Sequence, residues 1–153
     1  MFENLLTFFG NPGSYKTPLP EADAKHAIGA LLVRAAKADQ AYLFEEVEQI
    51  DKVLAERNGL NIVEAAKMRA ACEKLEEAMP NTSQLMNVIK DSISAAEKEA
   101  TVRALWSVIL ADGVEHEDED ELMHEIERLL GLTPGIAKRL HDDAVAQAKS
   151  FKA

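Results

Sequence analysis

Positive charge is scarce in this chain: 17 Lys and Arg stand against 27 Asp and Glu, a formal net charge of −10. No basic block occurs, so a nucleic-acid surface is not expected, because phosphate binding needs clustered Lys and Arg to displace counterions. Such a chain suits cations, basic partners or plain solubility. The single cysteine, Cys72, has no second thiol to pair with, which fits a reducing compartment and a cytoplasmic location. No run approaches the roughly 18 apolar residues of a membrane-spanning helix. Glycine and proline number only 7 and 5 in 153 residues. Most of them lie near the N-terminus or between periodic segments, so long uninterrupted elements around one core are expected.

What is present is helical periodicity. Nothing alternates as a strand after residue 21. Ile28, Leu31, Leu32 and Ala35 define one face of a helix over 22–39, and Val47, Ile50, Val53 and Leu54 mark a second. Asn61 with Glu64 forms a capping box that starts a third. Its stripe runs Ala65, Met68, Cys72, Leu75 and Met79, and Pro80 ends it. Leu85, Val88 and Ile89 mark a shorter helix. Ser94 with Glu97 opens a long one carrying Leu105, Trp106 and Ile109. Leu122, Met123, Ile126, Leu129 and Leu130 follow, closed by Gly131, and Thr133–Pro134 starts the last helix. The expectation is an all-α, pseudo-two-fold bundle of about seven helices over 21–153. Residues 1–20 add a short apolar N-terminal helix and a linker, GNPGSYKTPLP. The first of these, MFENLLTFFG, is read as packing on the domain or docking peripherally on a membrane or partner.

The pseudo-symmetry comes from an internal repeat. Shifting residues 32–53 by 73 places Leu32 on Leu105, Asp39 on Asp112, Glu46 on Glu119 and Val53 on Ile126. One deletion later, Gly59-Leu60-Asn61 falls on Gly131-Leu132-Thr133.

The second join is the most charged stretch. ADGVEHEDEDEL, residues 111–122, holds seven carboxylates in twelve positions. Acids are favourable in a first helical turn, so part of this charge fits a solvated helix start. Asp39 and Asp112 sit instead at helix C-termini, where an anion is disfavoured by about 0.3–1 kcal/mol. Either they accept backbone N–H groups of the turn, or they pair with Glu46 and Glu119 around a hard cation such as Ca²⁺ or Mg²⁺. The EF-hand is excluded, since counting from Asp112 puts Val114 and His116 at ligand positions and Glu117 at the required glycine.

Other chemistry fails on geometry. Glu121-Leu-Met-His124 matches the Glu-x-x-His of di-iron bundles, but His124 and Glu121 project away from the apolar face. GNPGSYKT lacks the Gly-Lys pair of a phosphate loop. Cys72 lies on an apolar stripe and Trp106 at core spacing. His141 is followed by Asp142 and Asp143, but adjacent helical residues do not face one another. No nucleophile has an evident base, so no enzyme is expected.

LLVRAAKAD, LWSVILADGVEHEDEDEL, the two Gly-Leu-cap restarts and the repeat together resemble the tellurite-resistance TerB-like family, which is related to the N-terminal domain of DjlA-type co-chaperones. The resemblance covers roughly residues 22–145. It implies an all-helical pseudo-symmetric domain tied to bacterial stress response and tellurite resistance, with paired acidic turns that bind a cation or a partner. By position, Asp39, Glu46, Asp112 and Glu119 would be the ligands. Gln40 stands where the family prefers glycine and Phe44 in a usually polar turn, which favours the second half as the site. The leading expectation is a non-enzymatic, cation-responsive sensing or interaction module. The alternative is a cation-independent protein–protein adaptor. The partner would be protein, with room for homo-oligomers.

Overall fold

A computed structural model describes residues 23–38 and 41–152. Among these residues the chain is all-α. The helices are α1 (Ala24–Lys37), α2 (Phe44–Asn58), α3 (Ile62–Ala78), α4 (Thr82–Ile89), α5 (Ala95–Ile109), α6 (Glu117–Leu129) and α7 (Pro134–Lys152), with a 3-10 turn at Leu110–Asp112 after α5. The expected bundle is present. The apolar segment 1–20 lies outside the described residues.

α1 is the core. Its sequence places apolar or small residues on every side, and a helix with that composition must be surrounded. The stripe of Ile28, Leu31, Leu32 and Ala35 is buried, but so are Ala27, Gly29, Ala30, Val33 and Ala36. α2, α3, α4 and α5 all pack against it. Alanine and glycine set how near those neighbours come. A Cβ built on Gly29 would stand 2.3 Å from the Cys72 sulfur and 3.3 Å from its Cβ, so glycine is what lets α3 cross α1 this closely.

One polar tie crosses the same interface. Arg34 of α1 donates to the Glu76 carboxylate at 3.1 and 3.2 Å, to the Glu76 carbonyl at 2.9 Å, and to the Met79 carbonyl. The last turn of α3 exposes carbonyls with no partner inside the helix, and a planar guanidinium can satisfy several at once. Lys37 reaches the same carboxylate at 2.8 Å.

The two halves repeat local devices as well as sequence. α2 stops at Gly59 (φ 64°), where Leu60 N donates to Ala55 O at 3.0 Å. α6 stops with Leu130 and Gly131 (φ 76°), where Leu132 N donates to Glu127 O at 3.0 Å. The Asn61 side chain caps α3 with Glu64 reciprocating, and Thr133 caps α7. Leu32 and Leu105, Ile50 and Met123, and Val53 and Ile126 are each buried as pairs.

Gly29→Ala should destabilise the fold by about 1–3 kcal/mol, because overpacking against Cys72 outweighs alanine's better helix propensity. Adding Cys72→Ala should recover most of the loss in urea melts. A double variant no more stable than Gly29→Ala alone would show that the crossing is set elsewhere.

Candidate binding cleft beside the second acidic join

Glu46 and Glu119 occupy the same third position of α2 and α6, and both turn inward, at 0% and 1% exposure. Glu46 Oε1 accepts from Leu43 N at 3.1 Å, and Glu119 Oε1 accepts from His116 N at 2.8 Å. Leucine has no side-chain acceptor to offer in return. The glutamate therefore supplies the side-chain part of the helix start. Asp112, in the 3-10 turn, accepts from Val114 N at 2.9 Å through Oδ1. Asp39 lies outside the described residues. Each of the three described acids thus engages the backbone of its own join. Among the described residues no three His, Cys, Asp or Glu side chains form a cluster able to hold a metal ion.

The more distinctive geometry lies behind the second join. An open cleft of about 710 Å³ separates α6 from α7. Glu115 enters it from the join, Asp120, His124 and Glu127 from α6, His141 from α7, and Trp106 of α5 forms part of its wall. His141 Nε2 lies 2.7 Å from Glu115 Oε1, across 26 residues of chain. The Trp106 ring meets the imidazole edge-on, with centroids 4.6 Å apart and planes at 66°.

These neighbours move the protonation equilibria. Burial alone would push His141 down, but Glu115 and then Asp142 outweigh it and hold the imidazole above its usual value. Burial would push Glu115 up, yet its contacts with Asp120 and His141 carry it below the usual carboxylate range. Asp120 bears the cost of that arrangement. Burial and the adjacent Glu115 carboxylate push it up to about 6. Glu127 is raised chiefly by burial, against the opposing pull of His124, His141 and Trp106.

Two groups on this wall are left unsatisfied. Glu127 is only 6% exposed. It attracts the Trp106 N–H, but no hydrogen bond closes between them and that N–H is buried without a partner. Asp120 Oδ1 is likewise buried and unpaired. A buried carboxylate with no ion pair is unusual, because desolvating a charge is expensive.

A family model described as Tellurite resistance protein TerB matches residues 25–142. The chain belongs to the TerB family. No curated protein and no solved structure matches it. The matched span takes in both joins of this TerB-family chain, the helices α2 to α6, and α7 as far as His141 and Asp142. No helix among the described residues is long and apolar enough to cross a membrane.

Sequence reasoning missed most of the cleft. The sequence neighbours of His141 carry no signal of its role, because its partner Glu115 arrives from another element. Trp106 is core, at 3% exposure, and cleft wall at once. Glu127 had a readable signal: it stands four residues after Met123 and three before Leu130, both buried. The repeat also places it on Leu54, which is buried leucine.

The pH dependence of stability follows from these shifts. Asp120 is raised from 3.8 to about 6 in the folded state, so its favourable contribution is present at low pH and lost as pH rises through about 6. His141, also raised, loses its contribution as pH climbs through its folded value. Glu115, lowered, loses its own as pH falls through its folded value. Asp120→Asn should flatten the stability profile between about pH 4 and 6 and leave the protein up to about 1 kcal/mol more stable than wild type at pH 7.5, screening included. Denaturant melts across that range measure this; a parallel profile in the variant would mean that Asp120 does not set the slope.

Proposed function

We propose that this chain is a non-catalytic, cytoplasmic stress-response module of the tellurite-resistance type that works by binding a basic protein partner at the second acidic join. The observation that carries the reading is the display of charge. Glu115, which lines the cleft, and Glu117, Asp118 and Glu121 of the first turns of α6 are exposed, while the acids with structural work, Glu46 and Glu119, are turned inward. A concentrated negative field raises the encounter rate with positive partners and penalises acidic ones. Partner capture by wild type in chelator, compared with a Glu117→Gln/Asp118→Asn/Glu121→Gln variant, tests this reading. The same partner should be recovered with and without chelator and lost in the neutralised variant. Recovery that ignores the substitutions would remove the join as the binding surface.

A second reading is cation response, favoured by the half-buried Asp112 carboxylate in its turn and the exposed acids that follow. Ca²⁺ or Mg²⁺ would be held by Asp112 and Glu119 in one half and by Asp39 and Glu46 in the other. Neutralising these carboxylates would lock the joins and change the surface a partner meets. Calorimetric titration of chelator-treated protein with each ion should then give saturable heat and a raised Tm. Asp112→Asn/Glu119→Gln keeps both cap acceptors and should abolish the effect. Full retention in that variant would rule out this ligand set.

A further inference from the structure

The repeat makes one comparison available that neither half offers alone. In the first half, the space between α2 and α3 is filled by the chain's own arginine. Arg69 Nε lies 2.6 Å from Asp51 Oδ1 and its Nη1 3.3 Å from Glu73 Oε2, and Tyr42 borders the same group. Carried through the repeat, Arg69 falls on His141, Tyr42 on Glu115 and Glu73 on Val145. Asp51 falls on His124, so the second half has lost its arginine and both of that arginine's acceptors. A shorter imidazole stands in its place, on the wall of the cleft of about 710 Å³. Its walls carry carboxylates of their own, Glu115, Asp120 and Glu127, where the first half has Tyr42, Val47 and Leu54; Glu127 is 6% exposed with no ion pair.

Resting on the binding role proposed above, we infer that this cleft receives an arginine side chain from a partner protein, which occupies in the second half the role that Arg69 fills in the first. The chemistry selects guanidinium over the alternatives. A planar fork of five N–H donors can serve several separated carboxylate oxygens, whereas an ammonium offers three donors on one centre. A metal ion would need converging ligands, and the described residues hold no such cluster. The Trp106 N–H faces Glu127 without closing a hydrogen bond to it, and a main-chain carbonyl beside the arginine would supply the acceptor it lacks. Resident cations leave the space open. Lys138 is tied to Asp142 at 2.6 Å, and Arg128 is exposed at the rim, one helical position from Glu127 and so directed elsewhere.

Trp106 is the chain's single tryptophan, so its indole N–H gives one isolated signal in nitrogen–proton NMR. The full chain at pH 7.5 would be titrated with acetyl-Gly-Gly-Arg-Gly-Gly-amide and with the same peptide carrying citrulline or lysine. The arginine peptide should shift the indole signal saturably. Citrulline, equal in shape but uncharged, should bind about tenfold or more weakly, as should the arginine peptide toward Glu127→Gln. Glu115→Gln, at the exposed mouth, should weaken it as well, which covers the case of a misfolded Glu127 variant. Equal binding of citrulline, or unchanged binding by both variants, would overturn the proposal. Lysine binding as tightly as arginine would overturn the guanidinium assignment. If the arginine peptide fails while the neutralised join variant still loses its partner, the cleft is wrong and the binding role stands. If the peptide binds but partner capture ignores the join, the role is wrong and the cleft stands.

Discussion

Enclosure of α1 is the constraint on which the other helices depend. A helix of fourteen residues with nine of them buried cannot hold its shape at a surface, and its stability comes from the neighbours that close over it. Small side chains make that closure tight: α3 comes close enough to touch at Gly29 and Cys72. Arg34 then ends α3 against α1 by binding the carbonyls of its last turn. With α3, α4 and α5 seated on one central rod, the C-terminal end of α5 is fixed, and with it Trp106. The cleft owes one wall to this arrangement, because the indole is anchored in the core on one side and faces α7's histidine on the other.

The duplicated halves spend similar parts in different ways. Each begins its second helix with an inward glutamate at the third position, and each ends that helix at a glycine in the left-handed region. Those devices are structural in both copies. They differ in what fills the gap between the second and third helices of each half. Arg69 with Asp51 and Glu73 closes the first. In the second, acids outnumber the bases that reach them, and the excess is expressed as raised carboxyl pKa values and an unpaired Asp120 oxygen. Unsatisfied polar groups of this kind weaken a fold, so they tend to persist where another molecule completes them.

Much of the fold was legible in the sequence because its signals are local. Periodicity, the Asn61–Glu64 box, the Ser94 cap and the Gly-Leu-cap restarts act within a few residues and form as read, although Glu97 accepts from the Ser94 hydroxyl and not from its backbone N–H. The completeness of α1's burial was less visible, since alanine and glycine register weakly on any hydrophobic pattern. The site was harder still. Glu46 and Glu119 carry charge at register positions, which reads equally as ligand or as cap, and only the direction of the side chain separates the two. His141 and Glu115 meet through tertiary packing, which no spacing rule encodes. Glu127 was the exception, a charge on an apolar heptad position whose counterpart in the first half is Leu54.

The contact between Gly29 and Cys72 also governs the redox chemistry of the chain. The only thiol is wholly buried, and burial pushes its pKa up to about 12, so almost none of it is thiolate while α1 is in place. Oxidants and alkylating reagents act on the thiolate and need access to it. Modification of Cys72 must therefore wait for α1 and α3 to part, which makes the sulfur a clock for opening of the core. A cell in which this protein stays folded would find it inert to thiol oxidation, and damage would accumulate on the unfolded fraction alone.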